Sequence, residues 1–181
     1  MKSNSTKVIT GIVRLSYEHV WEPSSIDGNS EPKYSASFII DKDDTKTLDA
    51  INTAIENAIK EGIGKFGGKI PNRAALKLPL RDGDAKEDEA YQGHFFVNAN
   101  SKVAPQIVDK AVNPILDRDE VYSGCYVRAS LNFYPYNFNG TKGVACGLGN
   151  IQKVKDGPAL GGGRSSASDD FNSDDMDDFL A

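Results

Sequence analysis

Cysteine, histidine and tryptophan are scarce in this 181-residue chain, numbering two, two and one. Cys125 and Cys146 lie close neither to each other nor to His19 and His94, so no zinc-binding spacing exists, and both thiols read as reduced and packed. No apolar run is long enough to cross a bilayer, and no hydrophobic leader follows Met1; the expectation is a cytoplasmic protein without a membrane partner. The glycine-rich "ALGGGR" follows the last strand-like segment instead of opening a helix, which makes it a poor phosphate loop and a good linker. Neither a cofactor nor a metal is expected. Basic residues are missing altogether beyond Arg164.

That last absence divides the chain. Asp169 to Ala181 holds six aspartates, leaving 20 of the 26 acids against all 21 bases elsewhere. A near-neutral body with a segregated acidic end fits a binding surface plus an appendage better than an enzyme with spread carboxylates. With 39% hydrophobic residues the body can build one core. Residues 1–155 read as one domain, 156–168 as a flexible Gly/Ser linker, and 169–181 as a disordered acidic tail too poor in apolar residues to offset the entropy of ordering. Such a tail also serves as simple solubility ballast in many proteins.

"KVITGIVRLSY" alternates as a strand, with Ile9, Val13, Leu15 and Tyr17 on one face and Thr10, Arg14 and Ser16 on the other. "KYSASFII" predicts a second strand after a Pro-containing loop. The recurrence of Leu48, Ile51, Ile55, Ile59, Ile63 and Phe66 at three and four residues predicts one helix. Residues 67–92 predict an irregular insertion. In "HFFVNANSKV", Phe95, Val97 and Ala99 oppose His94, Phe96, Asn98 and Lys102, and parity does not say which face is wet. Two long strands around Asn139-Gly140 follow. Several strands and one helix give a mainly β fold, a barrel or a sandwich.

Between 121 and 136 the odd positions Val121, Cys125, Val127, Ala129, Leu131 and Phe133 are apolar, a core face. The even positions Tyr122, Tyr126, Arg128, Asn132, Tyr134 and Tyr136 form an outward face of rings and polar groups, on which single-stranded bases can stack while cations draw the phosphates. A two-residue turn would set Gly147 and Gly149 beside Asn132 and Ser130, and Lys153 opposite Tyr126. Phe96 and Lys102 offer a lesser version of that surface. Trp21 is either a stacking platform or a plug on the core. Asp82, Asp84, Glu87, Asp88 and Glu89 cluster in a loop-like run and lack the strand-borne arrangement that two-metal hydrolysis needs, so no enzyme is expected.

The blocks "PLRDGD", "YQGHFFVNANS", "VYSGCYVRASLNFYPYN", "KGVACGLGNIQKV" and "DGPALGGGRSSASDDF" resemble a phage family first catalogued without a function and since recognised as single-stranded DNA-binding proteins. The resemblance runs from about Val8 onward. It implies an OB-fold, a five-stranded Greek-key barrel, here with one long helix and an irregular insertion. It further implies a protein that coats single strands without sequence preference during phage replication and recombination, in the cytoplasm of the infected host. The tail residues Asp174, Asp175, Asp177, Asp178 and Phe179 would then recruit phage or host replication and recombination proteins. Relatives commonly end on phenylalanine, whereas Leu180 and Ala181 follow Phe179 here. An interaction module that never touches DNA is the alternative, and a homo-oligomer is left open.

Overall fold

The computed structural model describes residues 5–25, 28 and 30–160. Its elements run β1 (Lys7–Ile9), β2 (Val13–Ser24), β3 (Lys33–Asp41), α1 (Thr45–Glu61), β4 (Leu80–Asp82), β5 (His94–Ser101), β6 (Ile107–Val108), β7 (Tyr126–Phe138) and β8 (Thr141–Lys155). Five strands close into a ring: β2 pairs antiparallel with β3, β3 with β5, β7 with both β8 and β2, and β5 meets β8 in parallel at Asn100 and Gly147. This is the expected OB barrel, in which closure removes the exposed edges of a sheet. β1 adds to β7, β4 to β5 and β6 to β8.

Alternation decides what fills the ring. Phe38 and Ile40 of β3, Val97 and Ala99 of β5, and Val127, Leu131 and Phe133 of β7 are at most 1% exposed, while their even or odd neighbours turn outward. The helix covers one end. Asp44 caps it by accepting from the Thr47 amide at 3.2 Å, and Ile51, Ile55, Ala58 and Ile59 are buried on the barrel. Each buried isoleucine contributes ~1.5–3 kcal/mol, so packing rather than intrinsic propensity holds the helix. It stops at Gly62, where a Cβ would sit 2.5 Å from Pro135 Cβ; no larger residue lets the helix end lie so close to β7. Ile63 lies beyond that stop and is 38% exposed, so it leaves the apolar stripe predicted for it.

The first predicted strand is two. The chain breaks at residues 10–12: Ile9 is exposed and Thr10 is fully buried, its hydroxyl accepting from the Ala129 amide at 3.0 Å. Tyr17 also leaves the face it was expected to share with Leu15. Between Ser16 and His19, β2 carries one residue more than β3, and Tyr17 adopts φ 44°, a left-handed conformation unusual for a bulky residue. The bulge throws Tyr17 outward, onto the face that Ser16 and Ser37 share.

The Asn139-Gly140 turn has two residues, so Phe138 opposes Thr141 and Asn132 opposes Gly147 as predicted. Register then slips twice, and Tyr126 meets Lys155 while Lys153 lies opposite Val127. The predicted Lys153–Tyr126 pairing is therefore replaced. Residues 156–160, expected to open the linker, instead return across the barrel: Leu160 N donates to Ser123 O at 2.8 Å and Arg14 Nη2 to Pro158 O at 2.6 Å. The rest of the linker and the acidic tail, 161–181, lie outside the described residues.

Candidate nucleic-acid interface

Sheet register lines up a row of small, polar, outward side chains across the barrel. Asn132 of β7 opposes Gly147 of β8, Gly147 opposes Asn100 of β5, Asn100 opposes Ser35 of β3, and Ser35 opposes His19 of β2. Ala145, Asn98 and Ser37 lie beside this row. Two adjoining hollows share Asn98 and Asn100 as a common floor. The larger, about 800 Å³, is lined by Tyr17, His19, Lys33, Ser35, Ser37, Lys86 and Lys102. The smaller, about 230 Å³, is lined by Lys77, Arg81, Tyr136 and Ala145. Together they make one open groove with asparagine, serine and alanine along it and with aromatic side chains at its ends.

The groove is cationic. Among the described residues Glu31 is the one carboxylate that lines it, and it pairs with Lys102 at 3.4 Å. Lys33, Lys77, Arg81 and Lys86 make no ion pair among the described residues. At one end Tyr134 is 40% exposed beside Gly147, and Tyr136 packs over Gly143. At the other, Tyr17 is 57% exposed, and Lys86 Nζ stands 5.2 Å from its ring centroid. Flat rings, unpaired cations and a floor without bulky side chains suit a flexible polyanion carrying stackable bases.

The sequence model of a family described as Enterobacter phage Enc34, ssDNA-binding protein, matches residues 6–180. The chain belongs to this Enc34 family. A relative, putative protein p50 of Acyrthosiphon pisum secondary endosymbiont phage 1, is 35% identical over 178 residues, 92% of each chain. Among solved structures, the single-stranded DNA-binding protein of bacteriophage Enc34 in complex with ssDNA aligns with TM-score 0.76 at 22% identity, over 89% of this chain and 96% of that one. The bacteriophage T7 single-stranded DNA-binding protein gp2.5 aligns at 0.60 and 14%, over 92% and 95%. At these identities the likeness to the solved structures is one of fold.

Within this Enc34-family barrel the residues singled out from sequence separate into groups. Asn132, Tyr134, Tyr136 and Lys102 lie on or beside the groove. Arg128 is outward on β7, but its Nε donates to Thr10 O at 3.0 Å, toward β1. Tyr122 precedes β7 in a loop, contrary to its expected place on the strand face, and its hydroxyl bonds Gly157 O at 2.9 Å. Burial raises the Tyr122 pKa. Lys153 Nζ binds Asp156 at 2.6 Å; partial burial works against its charge, Asp156 more than offsets it, and the ammonium pKa is raised. The same contact holds Asp156 below the ordinary carboxylate range. Tyr126 lies under Gly157, where a Cβ would come within 2.7 Å of the ring.

Two further expectations are corrected by packing. Phe96 does point outward, yet it is only 4% exposed because Tyr91 of the insertion covers it edge-on, ring centroids 5.0 Å apart. Its ring offers no open face. Trp21 packs on the core, and its indole Nε1 donates to Val121 O at 3.2 Å, which makes it the plug of the two alternatives. Residues that sequence reasoning did not select as binding candidates are Tyr17, His19, Lys33, Ser35, Ser37, Lys86, Asn98 and Asn100. The alternation in "KYSASF" and "FVNANS" marks their polar faces, but only the sheet order shows that those faces adjoin.

Proposed function

We propose that this protein binds single-stranded DNA in the groove across β2, β3, β5 and β8, with little sequence preference, and so coats and protects single strands during phage replication and recombination. The observation that carries the reading is the lane Asn132–Gly147–Asn100–Ser35–His19, flanked by open tyrosines and unpaired cations. Membership of the Enc34 family, whose namesake was solved with ssDNA, supports it. Bases stack on Tyr134, Tyr136 and Tyr17, while Lys33, Lys77, Arg81, Lys86 and Lys102 meet phosphates. Asn98 and Asn100 each offer a donor and an acceptor, and such amides pair with any base edge.

The tail completes the reading. Tethered carboxylates from Asp169 onward compete with DNA for the groove at high effective concentration. DNA frees them, and Phe179 with Asp174, Asp175, Asp177 and Asp178 then docks on a basic pocket of a replication or recombination protein. The test is anisotropy of labelled oligo-dT against a duplex of equal length over a range of salt. Tight binding to the single strand, weaker binding to duplex and a clear salt slope are expected; equal affinity for the two would refute the reading.

A further inference from the structure

Resting on that reading, we propose that Tyr17 and Lys86 form a base-and-phosphate clamp at the β2 end of the groove: one base stacks on Tyr17, and an adjoining phosphate draws Lys86 off the rings that hold it.

The backbone at Tyr17 is the first observation. Its φ of 44° is unfavourable for a residue with an aromatic side chain, and the bulge that imposes it costs β2 its regular pairing with β3. What the bulge achieves is exposure. Ser16 keeps its place on the outer face opposite Ser37, 4% exposed, and Tyr17, which strict alternation would turn inward, projects into the groove at 57%. Among the described residues its hydroxyl reaches only Asp88, at 3.4 Å, so the ring is held at its tip while most of its surface stays open.

Lys86 is the second. Its ammonium stands 4.2 Å from the Tyr91 centroid, 4.9 Å from Phe96 and 5.2 Å from Tyr17. Three other lysines around the barrel rest on carboxylates, Lys42 on Asp82 and Asp84, Lys102 on Glu31 and Lys153 on Asp156, whereas Lys33 and Lys77 have neither a carboxylate nor a ring cage among the described residues. Lys86 has three rings and no ion pair among the described residues. A cation held by ring quadrupoles is positioned without being neutralised, so its full charge remains available to an incoming phosphate. The rings themselves are fixed: Tyr91 is fully buried and its hydroxyl donates to Ser37 Oγ at 3.0 Å. Ser37 lines the groove, so the cage that holds Lys86 is joined to the groove floor.

The test uses the full chain with labelled oligo-dT. Lys86→Met keeps an apolar stem on the rings and removes the charge; the slope of log affinity against log salt should fall by about 0.7, the share of one phosphate contact on a single strand. Lys86→Arg should restore the slope, and Lys60→Met on the exposed face of α1 should leave it unchanged. Tyr17→Ala should weaken binding about 5- to 150-fold, the equivalent of one base stack at ~1–3 kcal/mol. Tyr17→Phe should bind nearly as wild type, which separates stacking from the Asp88 contact. If wild type binds and Lys86→Met keeps the full slope, or Tyr17→Ala keeps the full affinity with an unchanged melting temperature, the clamp is overturned. Failure of wild type to bind single strands would overturn the underlying reading instead.

Discussion

Phe133 and Tyr134 are consecutive on β7 and face opposite ways, so truncating each to alanine separates folding from binding. Phe133 is 1% exposed in the barrel core. Its loss costs ~3–5 kcal/mol, which at ~2–4 °C per kcal/mol for a chain of this size lowers Tm by about 6–20 °C. Tyr134 is 40% exposed beside Gly147, and its truncation costs about 1 kcal/mol of stability or less. In binding the order reverses. Tyr134→Ala forfeits one base stack, ~1–3 kcal/mol or about 5- to 150-fold in Kd. Phe133→Ala, measured well below its own Tm, should bind oligo-dT close to wild type. Circular dichroism melting and oligo-dT anisotropy on the same preparations read both quantities. A Tyr134→Ala protein that melts early yet binds normally would show that the outward face of β7 is a structural surface, and the argument for the groove would lose its aromatic end.

Gly147 has an ordinary backbone φ, and an added Cβ would come no nearer than 3.3 Å to Asn132 O, so Gly147→Leu should fold with a small loss of Tm. Its side chain would stand in the lane and weaken oligo-dT binding about tenfold or more, ~1.4 kcal/mol; unchanged affinity would place the DNA path elsewhere. Burial raises the pKa of both Cys125 and Cys146, and far above the thiol range for Cys146, so a thiol-specific chromogenic reagent should titrate neither in the native protein and both after denaturation. Deleting 169–181 should tighten DNA binding at low salt, with the gain vanishing as the screening length shrinks toward ~3 Å at 1 M; no gain at low salt would end the self-competition argument.

The parity of β7 was legible because Cys125, Val127, Ala129, Leu131 and Phe133 alternate without interruption into a hairpin closed by Asn-Gly, whose geometry leaves one register for the adjacent residues. The helix was legible for the same reason at another period, apart from its end, which Gly62 sets by contact with Pro135. What escaped was whatever depends on a single residue's conformation or on distant chain. Nothing in "LSYEH" marks Tyr17 for a left-handed φ, since no glycine or asparagine stands there, and one inserted residue inverts the expected face. Phe96 has the right parity for an outward ring; Tyr91, brought over it by the insertion, closes it. The composition of 156–160 reads as tether, and its hydrogen bonds to Arg14, Tyr122 and Ser123 come from segments far away in sequence.

The slips in the β7–β8 ribbon explain why a platform of four tyrosines becomes two pairs with different employment. Ala129 opposes Ile151 and Leu131 opposes Leu148, so β8 spends one extra residue at Gly149 and Asn150; it spends another at Val154, between the Val127–Lys153 and Tyr126–Lys155 pairs. Gly149 is what makes the first slip possible, since a Cβ there would lie 2.2 Å from Ser130 Oγ. Each bulge also adds twist, which carries the distal half of the ribbon away from β5 and toward β6, where Ile151 and Gln152 pair. The proximal half, with Tyr134 and Tyr136, stays against β5 and opens on the groove. In the distal half Lys155 stands 4.8 Å over Tyr126 and Lys153 5.7 Å over Tyr122, and Asp156 to Leu160 close over both rings. Those two tyrosines hold the chain's own exit from the barrel, which leaves Tyr134, Tyr136 and, across the lane, Tyr17 as the tyrosines on or beside the open groove.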